Sequence, residues 1–151
     1  IVAGVIYNPA MDELYTAERG SGAFMNDRRL RVGGRRDLSQ CVIATGIPHL
    51  GRSDHGRFLE QARRVMLQVS GVRRMGAAAL DLAYVAAGRY DGFWERGIQP
   101  WDVAAGSLLV REAGGFIGPL DGALDPISEG AIIAGNGQNF EKFCEVIASA
   151  S

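Results

Sequence analysis

Two carboxylates, Glu95 and Asp102, stand seven residues apart across Tyr90-Asp91-Gly92-Phe93-Trp94-Glu95 and Trp101-Asp102-Val103-Ala104-Ala105-Gly106. Asp102 falls at the start of a helical pattern, behind an aromatic, Trp101, that is expected to be buried. At such a place the helix dipole favours negative charge and unpaired backbone N–H groups can orient it. A carboxylate held rigidly in this way suits a hard divalent cation. Glu95 ends a strand-like run, so both carboxylates can face one crevice at the carboxyl ends of strands, the usual ligand position in open α/β sheets. Upstream, Gly76-Ala77-Ala78 opens a second helix almost without side-chain bulk, which lets a ligand approach the backbone amides directly. Each feature also has a plainer reading: Asp102 as an N-cap, Glu95 as a solvated strand end, and the small residues as close helix–sheet packing.

The elements that must position these residues follow from the hydrophobic period. Up to about residue 45 the chain alternates short apolar runs with turn residues: a first strand, read as buried, that ends at Asn8-Pro9, then Glu13–Glu18, 23–26, 29–32 and Val42–Thr45. Gly20-Ser21-Gly22 and Asn26-Asp27 read as hairpin connections. Beyond Pro48 the period becomes helical, with Phe58, Ala62, Val65, Met66 and Val69 on one stripe and Ser53 or Asp54 as the cap. Residues 77–87 are apolar nearly all round, with Asp81 their only charge, and Gly88 stops that helix. A strand over 90–95 follows. Trp101, Ala104, Ala105, Leu108 and Leu109 then recur at helical spacing up to Gly114-Gly115. A strand over 131–134 and a helix after Asn139, with Phe140, Phe143, Cys144 and Ile147 inward, complete the set. Strands alternating with helices imply an α/β fold with mixed β-sheets and helices packed on their faces.

Composition narrows the partners. With 47% hydrophobic and 22% charged residues, the 151-residue chain is expected to form a single unit over 1–151. A formal net charge of -1 supplies no overall field toward nucleic acid or an anionic membrane, so any anion must meet a local site. No apolar run approaches the roughly 20 residues that span a bilayer. Cys41 and Cys144 lie far apart and outside any CxxC spacing, which suits a reducing compartment, and a cytoplasmic protein is expected. His49 and His55 lack metal-ligand spacing, no G-x-S-x-G nucleophile motif occurs, and Pro119-Leu120-Asp121-Gly122-Ala123 reads as a hairpin turn. The pattern at Ile1 enters a strand without a lead-in, so the chain is expected to begin in mid-domain.

The run from Gly71 to Gly106, with its Trp-Asp-x-Ala-Ala-Gly motif, resembles the C-terminal signature of inositol monophosphatases. Three further stretches resemble bacterial members: Gly4-Val5-Ile6-Tyr7-Asn8-Pro9 with Glu13-Leu14-Tyr15-Thr16-Ala17, Gly20-x-Gly22-Ala23-Phe24-x-Asn26, and Thr45-Gly46-Ile47-Pro48-His49. The resemblance covers essentially the whole chain. It implies the C-terminal part of an inositol monophosphatase/fructose-1,6-bisphosphatase-like layered sandwich, and hydrolysis of a small-molecule phosphate monoester such as inositol 1-phosphate. It further implies Asp102 as a catalytic ligand of a Mg2+ cluster that activates water for in-line attack, with Arg73, Gly76, Ala77, Ala78 and Glu95 at the substrate and a homodimer as the assembly. The family's other metal ligands come from a Glu-Glu segment and an Asp-Pro-x-Asp-Gly-Thr motif, neither of which is present here. The chain is therefore expected to be inactive alone.

Two alternatives stand beside this. A related phosphatase of the superfamily would act on a nucleotide 3'-phosphate, histidinol phosphate or fructose 1,6-bisphosphate. The basic run Arg28-Arg29-Leu30-Arg31-Val32-Gly33-Gly34-Arg35-Arg36 fits a nucleic-acid or protein-interaction module, though a run without interleaved aromatics reads first as a solvated hairpin edge.

Overall fold

The computed structural model describes residues 1–51, 54–120 and 122–148. Strands β1 (Ala3–Asn8), β2 (Glu13–Glu18), β3 (Gly22–Met25) and β4 (Arg28–Arg29) form an antiparallel meander in that order. The second sheet combines β5 (Val42–Thr45), β6 (Gly71–Arg73), β7 (Gly92–Arg96), β8 (Phe116–Pro119) and β9 (Ala131–Gly135) in the order β6-β5-β7-β9-β8. β5 runs parallel to β6 and β7, whereas β9 runs antiparallel to β7 and β8. The helices are α1 (His55–Met66), α2 (Ala78–Ala86), α3 (Pro100–Glu112) and α4 (Phe140–Ala148).

Alternation along the central strands explains the layering, because successive side chains leave opposite faces of a sheet. Ala44, Phe93, Ile132 and Ala134 join Leu82, Val85, Val103 and Leu109 in one core under α2 and α3, which also takes Ile6, Tyr15 and Ala17 from the meander. Ile43, Trp94 and Ile133 leave the other face into a second core with Val65 of α1 and Phe143 and Ile147 of α4. The layers are thus α1 and α4, the mixed sheet, α2 and α3, then the meander.

Several expectations change in detail. The first strand is buried on one face only, for Val5 is 63% and Tyr7 53% exposed, because the meander packs on α3 through alternate residues alone. β4 stops at Arg29 since Leu30 turns into the core and Val32 N–H bonds to Ala113 O. Met66, expected on the inward stripe of α1, is exposed; Gln61 is buried instead, donating to Ile147 O at 3.4 Å and accepting from Arg96. Trp101 is 76% exposed, so α3 buries Val103, Gly106 and Ser107 rather than the aromatic. On α4, Val146 is buried with Phe143 and Ile147, while Phe140 and Cys144 are half-buried. β6 and β8 had no separate signal in the sequence. Asp54 caps α1 by accepting from Arg57 N at 3.0 Å; Ser53, the alternative cap, lies outside the described residues, as does Asp121 of the expected turn, where Ala123 N–H bonds back to Leu120 O. Asn26 and Asp27 make the hairpin turn at φ of 45° and 64°.

Two polar clusters fasten the layers. Asp91, fully buried, accepts from Val42 N at 3.0 Å, from Asn136 Nδ2 at 3.3 Å and from Arg35 Nη1 at 3.3 Å. Asn136 and Asn139 each donate to Arg35 O at 3.2 Å, so the basic run is drawn into the fold at that residue. Glu13 accepts from both terminal nitrogens of Arg89 and from Tyr15 Oη, joining the meander to the end of α2.

The α2–α3 contact sets the tightest steric limit. A Cβ at Gly106 would lie 2.5 Å from Leu82 Cβ, so Gly106→Ala is predicted to cost about 1–3 kcal/mol, read as a lower denaturant midpoint; an unchanged midpoint contradicts this close packing. The Arg89 hydrogen bond, chiefly, holds the Glu13 carboxyl below its usual range. Stabilisation from this group is therefore full above about pH 4.3 and is lost as pH falls through its folded-state value. The stability gap between the native chain and Glu13→Gln, measured by urea unfolding, is predicted to shrink from pH 7 to pH 3; a constant gap contradicts the assignment.

Candidate functional site

A cavity of about 340 Å³ opens at the carboxyl ends of the parallel strands, lined by Gly46, Glu95, Arg74, Gly76, Asp102 and neighbours. Three chain segments are brought there by the sheet. β5 delivers Gly46 immediately after Thr45, whose Oγ1 donates to Trp94 O at 2.8 Å and so fixes the strand end beside β7. β7 delivers Glu95, and the connection from β6 delivers Arg74, Gly76, Ala77 and Ala78.

The contact between Gly46 and Glu95 is closest. A Cβ on Gly46 would fall 2.0 Å from the Glu95 carboxyl carbon, which places that carboxylate directly over the glycine. No other residue type leaves Glu95 where it is. Gly76 has φ +89°, and a Cβ there would lie 2.4 Å from Arg74 Nη1, so the guanidinium folds back over the glycine at the cavity. α2 then starts from Ala77, with extended backbone and no side-chain cap hydrogen bond, so its first N–H groups have no partner within the helix.

Asp102 is the third residue of α3 rather than its cap. The chain enters through Gln99, with Pro100 at the first helical position, and Asp102 Oδ2 accepts from Gln99 N at 3.0 Å. That bond orients a half-buried carboxylate toward residues it shares the cavity with, Glu95 and the head of α2 among them. The preceding turn is held by Ile98, whose N–H donates to Gly130 O.

Of the residues expected here, Gly76, Ala77, Ala78, Glu95 and Asp102 line the cavity together. Arg73 does not. Its guanidinium donates to Val72 O at 3.0 Å and its side chain is exposed, because Arg73 closes β6 and the alternating strand geometry turns Arg74 to the cavity instead. Gly46, Ile47, His49, Arg74 and Ile98 also line it; the Thr45-Gly46-Ile47-Pro48-His49 stretch was visible as a motif without a role. Asp81 is a further residue that periodicity hid within an apolar helix. It is 1% exposed; burial first, then the Glu95 charge, push its carboxyl up to about 7, with Arg74 opposing.

Magnesium requires close to six oxygens in octahedral array. Among the described residues no group of three or more His, Cys, Asp or Glu is placed to hold a metal, and Asp102 Oδ2 is already engaged by Gln99. The described residues therefore do not make a magnesium site by themselves.

The inositol monophosphatase family model matches residues 1–151. An inositol-1-monophosphatase of Mesorhizobium japonicum is 68% identical over 136 residues, 90% of this chain and 51% of that protein. An inositol-1-monophosphatase of Rhizobium meliloti is 60% identical over 147 residues, 97% of this chain and 55% of that protein. Among solved structures, the extragenic suppressor protein suhB of Bartonella henselae superposes with TM-score 0.92 at 61% identity, covering 97% of this chain and 57% of that one. The chain spans about half the length of these relatives. With its layered α/β fold and a match along its whole length, the chain belongs to the inositol monophosphatase family.

Proposed function

We propose that this chain is the substrate-facing part of a magnesium-dependent phosphatase that converts inositol 1-phosphate to inositol and phosphate, and that it lacks activity without further chain. The observation carrying this reading is the convergence of Glu95, Asp102 and the uncapped start of α2 on one cavity. The N–H groups at the head of α2 and the Arg74 guanidinium suit the phosphate oxygens. Glu95, fixed over Gly46, would accept from a ring hydroxyl, and Asp102, oriented by Gln99 N–H, would offer its carboxylate to the ion. When bound, with most of its ligands supplied from outside this chain, magnesium would provide the polarisation of water and phosphate that monoester hydrolysis needs. The relatives named inositol-1-monophosphatase support the choice of substrate. A sugar or nucleotide phosphatase of the same superfamily is the alternative. We further take the protein to be a cytoplasmic homodimer; its two cysteines are free thiols, and among the described residues no helix is long and apolar enough to cross a membrane.

Phosphate release, measured with magnesium on a protein of the relatives' length containing this chain, tests the reading. Inositol 1-phosphate is expected to be turned over faster than a nucleoside 3'-phosphate, histidinol phosphate or fructose 1,6-bisphosphate, and the 151-residue chain alone is expected to show no turnover. Asp102→Asn is predicted to lower kcat by about 100-fold or more. An Asp102→Asn protein with native kcat would refute the assigned role. Gly46→Ala, which must displace the Glu95 carboxylate, is predicted to raise KM for inositol 1-phosphate about tenfold or more, the scale of one lost charged hydrogen bond. An unchanged KM would remove Glu95 from the substrate.

A further inference from the structure

Only three residues, Gly97, Ile98 and Gln99, separate the end of β7, which carries Glu95, from the start of α3, which carries Asp102. The middle one is tightly held. Ile98 is 6% exposed, packs in the core with Val103 and Leu109, and lines the cavity. Across from it stands Gly130, the residue before β9. Its carbonyl accepts from Ile98 N at 3.4 Å, a bond that follows the last β7–β9 pair, Arg96 with Ala131. Gly130 has φ +61°, and a Cβ there would fall 1.9 Å from Ile98 O, 2.9 Å from Ile98 C and 3.2 Å from Ile98 N. Backbone thus rests on backbone, with no flexible side chain between them to give way. The loop 122–130 behind Gly130 is tied to itself: Glu129 Oε1 accepts from Leu124 N at 2.7 Å and from Asp125 N at 3.0 Å, and Asp125 Oδ1 accepts from Ile127 N at 3.1 Å. Ile127 packs against the same core as Ile98. On the other side of Ile98, the next residue, Gln99, donates its N–H to Asp102 Oδ2 and accepts from Asp102 N, each at 3.0 Å. A displacement of Ile98 therefore reaches Asp102 through one residue and two hydrogen bonds.

We propose that Gly130 is a positioning residue for Asp102: bare backbone at this point, braced by the loop that Glu129 closes, sets the place of Ile98 and, through Gln99, the direction of the Asp102 carboxylate. A glycine needed only for its left-handed backbone requires no room toward Ile98. Gly122, in the same loop at φ +77°, meets that plainer description, since a Cβ there has nothing within 4 Å. The two glycines thus separate strain in the loop from pressure on the β7–α3 connection. The effect on turnover rests on the reading of Asp102 as a carboxylate of the reacting site; the hold on its direction does not.

The test compares Gly130→Ala with Gly122→Ala in a protein of the relatives' length containing this chain, and takes Asp102→Ala as the reference for a lost Gln99 N–H bond. The NMR position and hydrogen exchange of the Gln99 amide are read without substrate, and phosphate release from inositol 1-phosphate with magnesium is read beside them. Gly130→Ala is expected to move the Gln99 amide toward its position in Asp102→Ala and to speed its exchange about tenfold or more. It is also expected to lower kcat about tenfold or more while KM changes less than about threefold. Gly122→Ala is expected to leave all four readings near native. An unmoved Gln99 amide in Gly130→Ala overturns the proposal, as does a displaced amide with native kcat. So does an equal effect from Gly122→Ala, which marks strain in the loop alone. If the native protein turns over no inositol 1-phosphate, the phosphatase reading fails and the amide by itself decides whether Gly130 directs Asp102. Should Gly130→Ala fail to fold, Glu129→Ala, which opens the exposed side of the loop, is read in the same way: Gln99 exchange is expected to quicken about threefold or more, and native exchange overturns the proposal.

Discussion

The site depends on how closely α2 and α3 approach. Both helices start at the cavity, one presenting bare backbone and the other a carboxylate, and the distance between those starts is set where Gly106 admits the Leu82 side chain. The same economy of bulk recurs one layer out, where Gly4 of β1 rests 3.0 Å, as a Cβ would measure it, from Ala105 Cα. Interiors are packed too densely for such a wedge to be absorbed by small shifts elsewhere. A methyl group between the helices would thus be felt at the cavity without touching it.

The cavity's charge balance is uneven. Glu95 and Asp102 line it, and Arg74 with the head of α2 supplies the opposing charge on the lining. Acidic groups gathered in this way gain from a cation, while the helix start gains from an anion. A ligand carrying both charges would satisfy the two halves together, which is the arrangement the proposed phosphatase reading calls for.

Much of the fold was legible because hydrophobic period and glycine placement are local properties. The α2 and α3 boundaries, the Asn26-Asp27 turn and the mixed sheet follow from runs of a few residues. The same holds for Glu95 and Asp102, whose strand-end and helix-start positions are written within ten residues. What stayed hidden was tertiary. Trp101 looks like core by residue type, yet α3 turns it outward because Val103 and Leu109 hold the buried face. Arg73 and Arg74 cannot be told apart until the strand is known to end between them.

The segment between β4 and β5 illustrates a different kind of fixity. Rich in arginine and glycine, it has the composition of a tether whose length might drift freely over generations. Yet the carbonyl of Arg35 is held by two asparagines more than a hundred positions further on, and its guanidinium by a carboxylate sealed beneath the sheet. Inserting or deleting a single residue there would disturb the start of β7, the end of β9 and the entry to α4 together, which makes this apparently idle loop as intolerant of indels as the core it skirts.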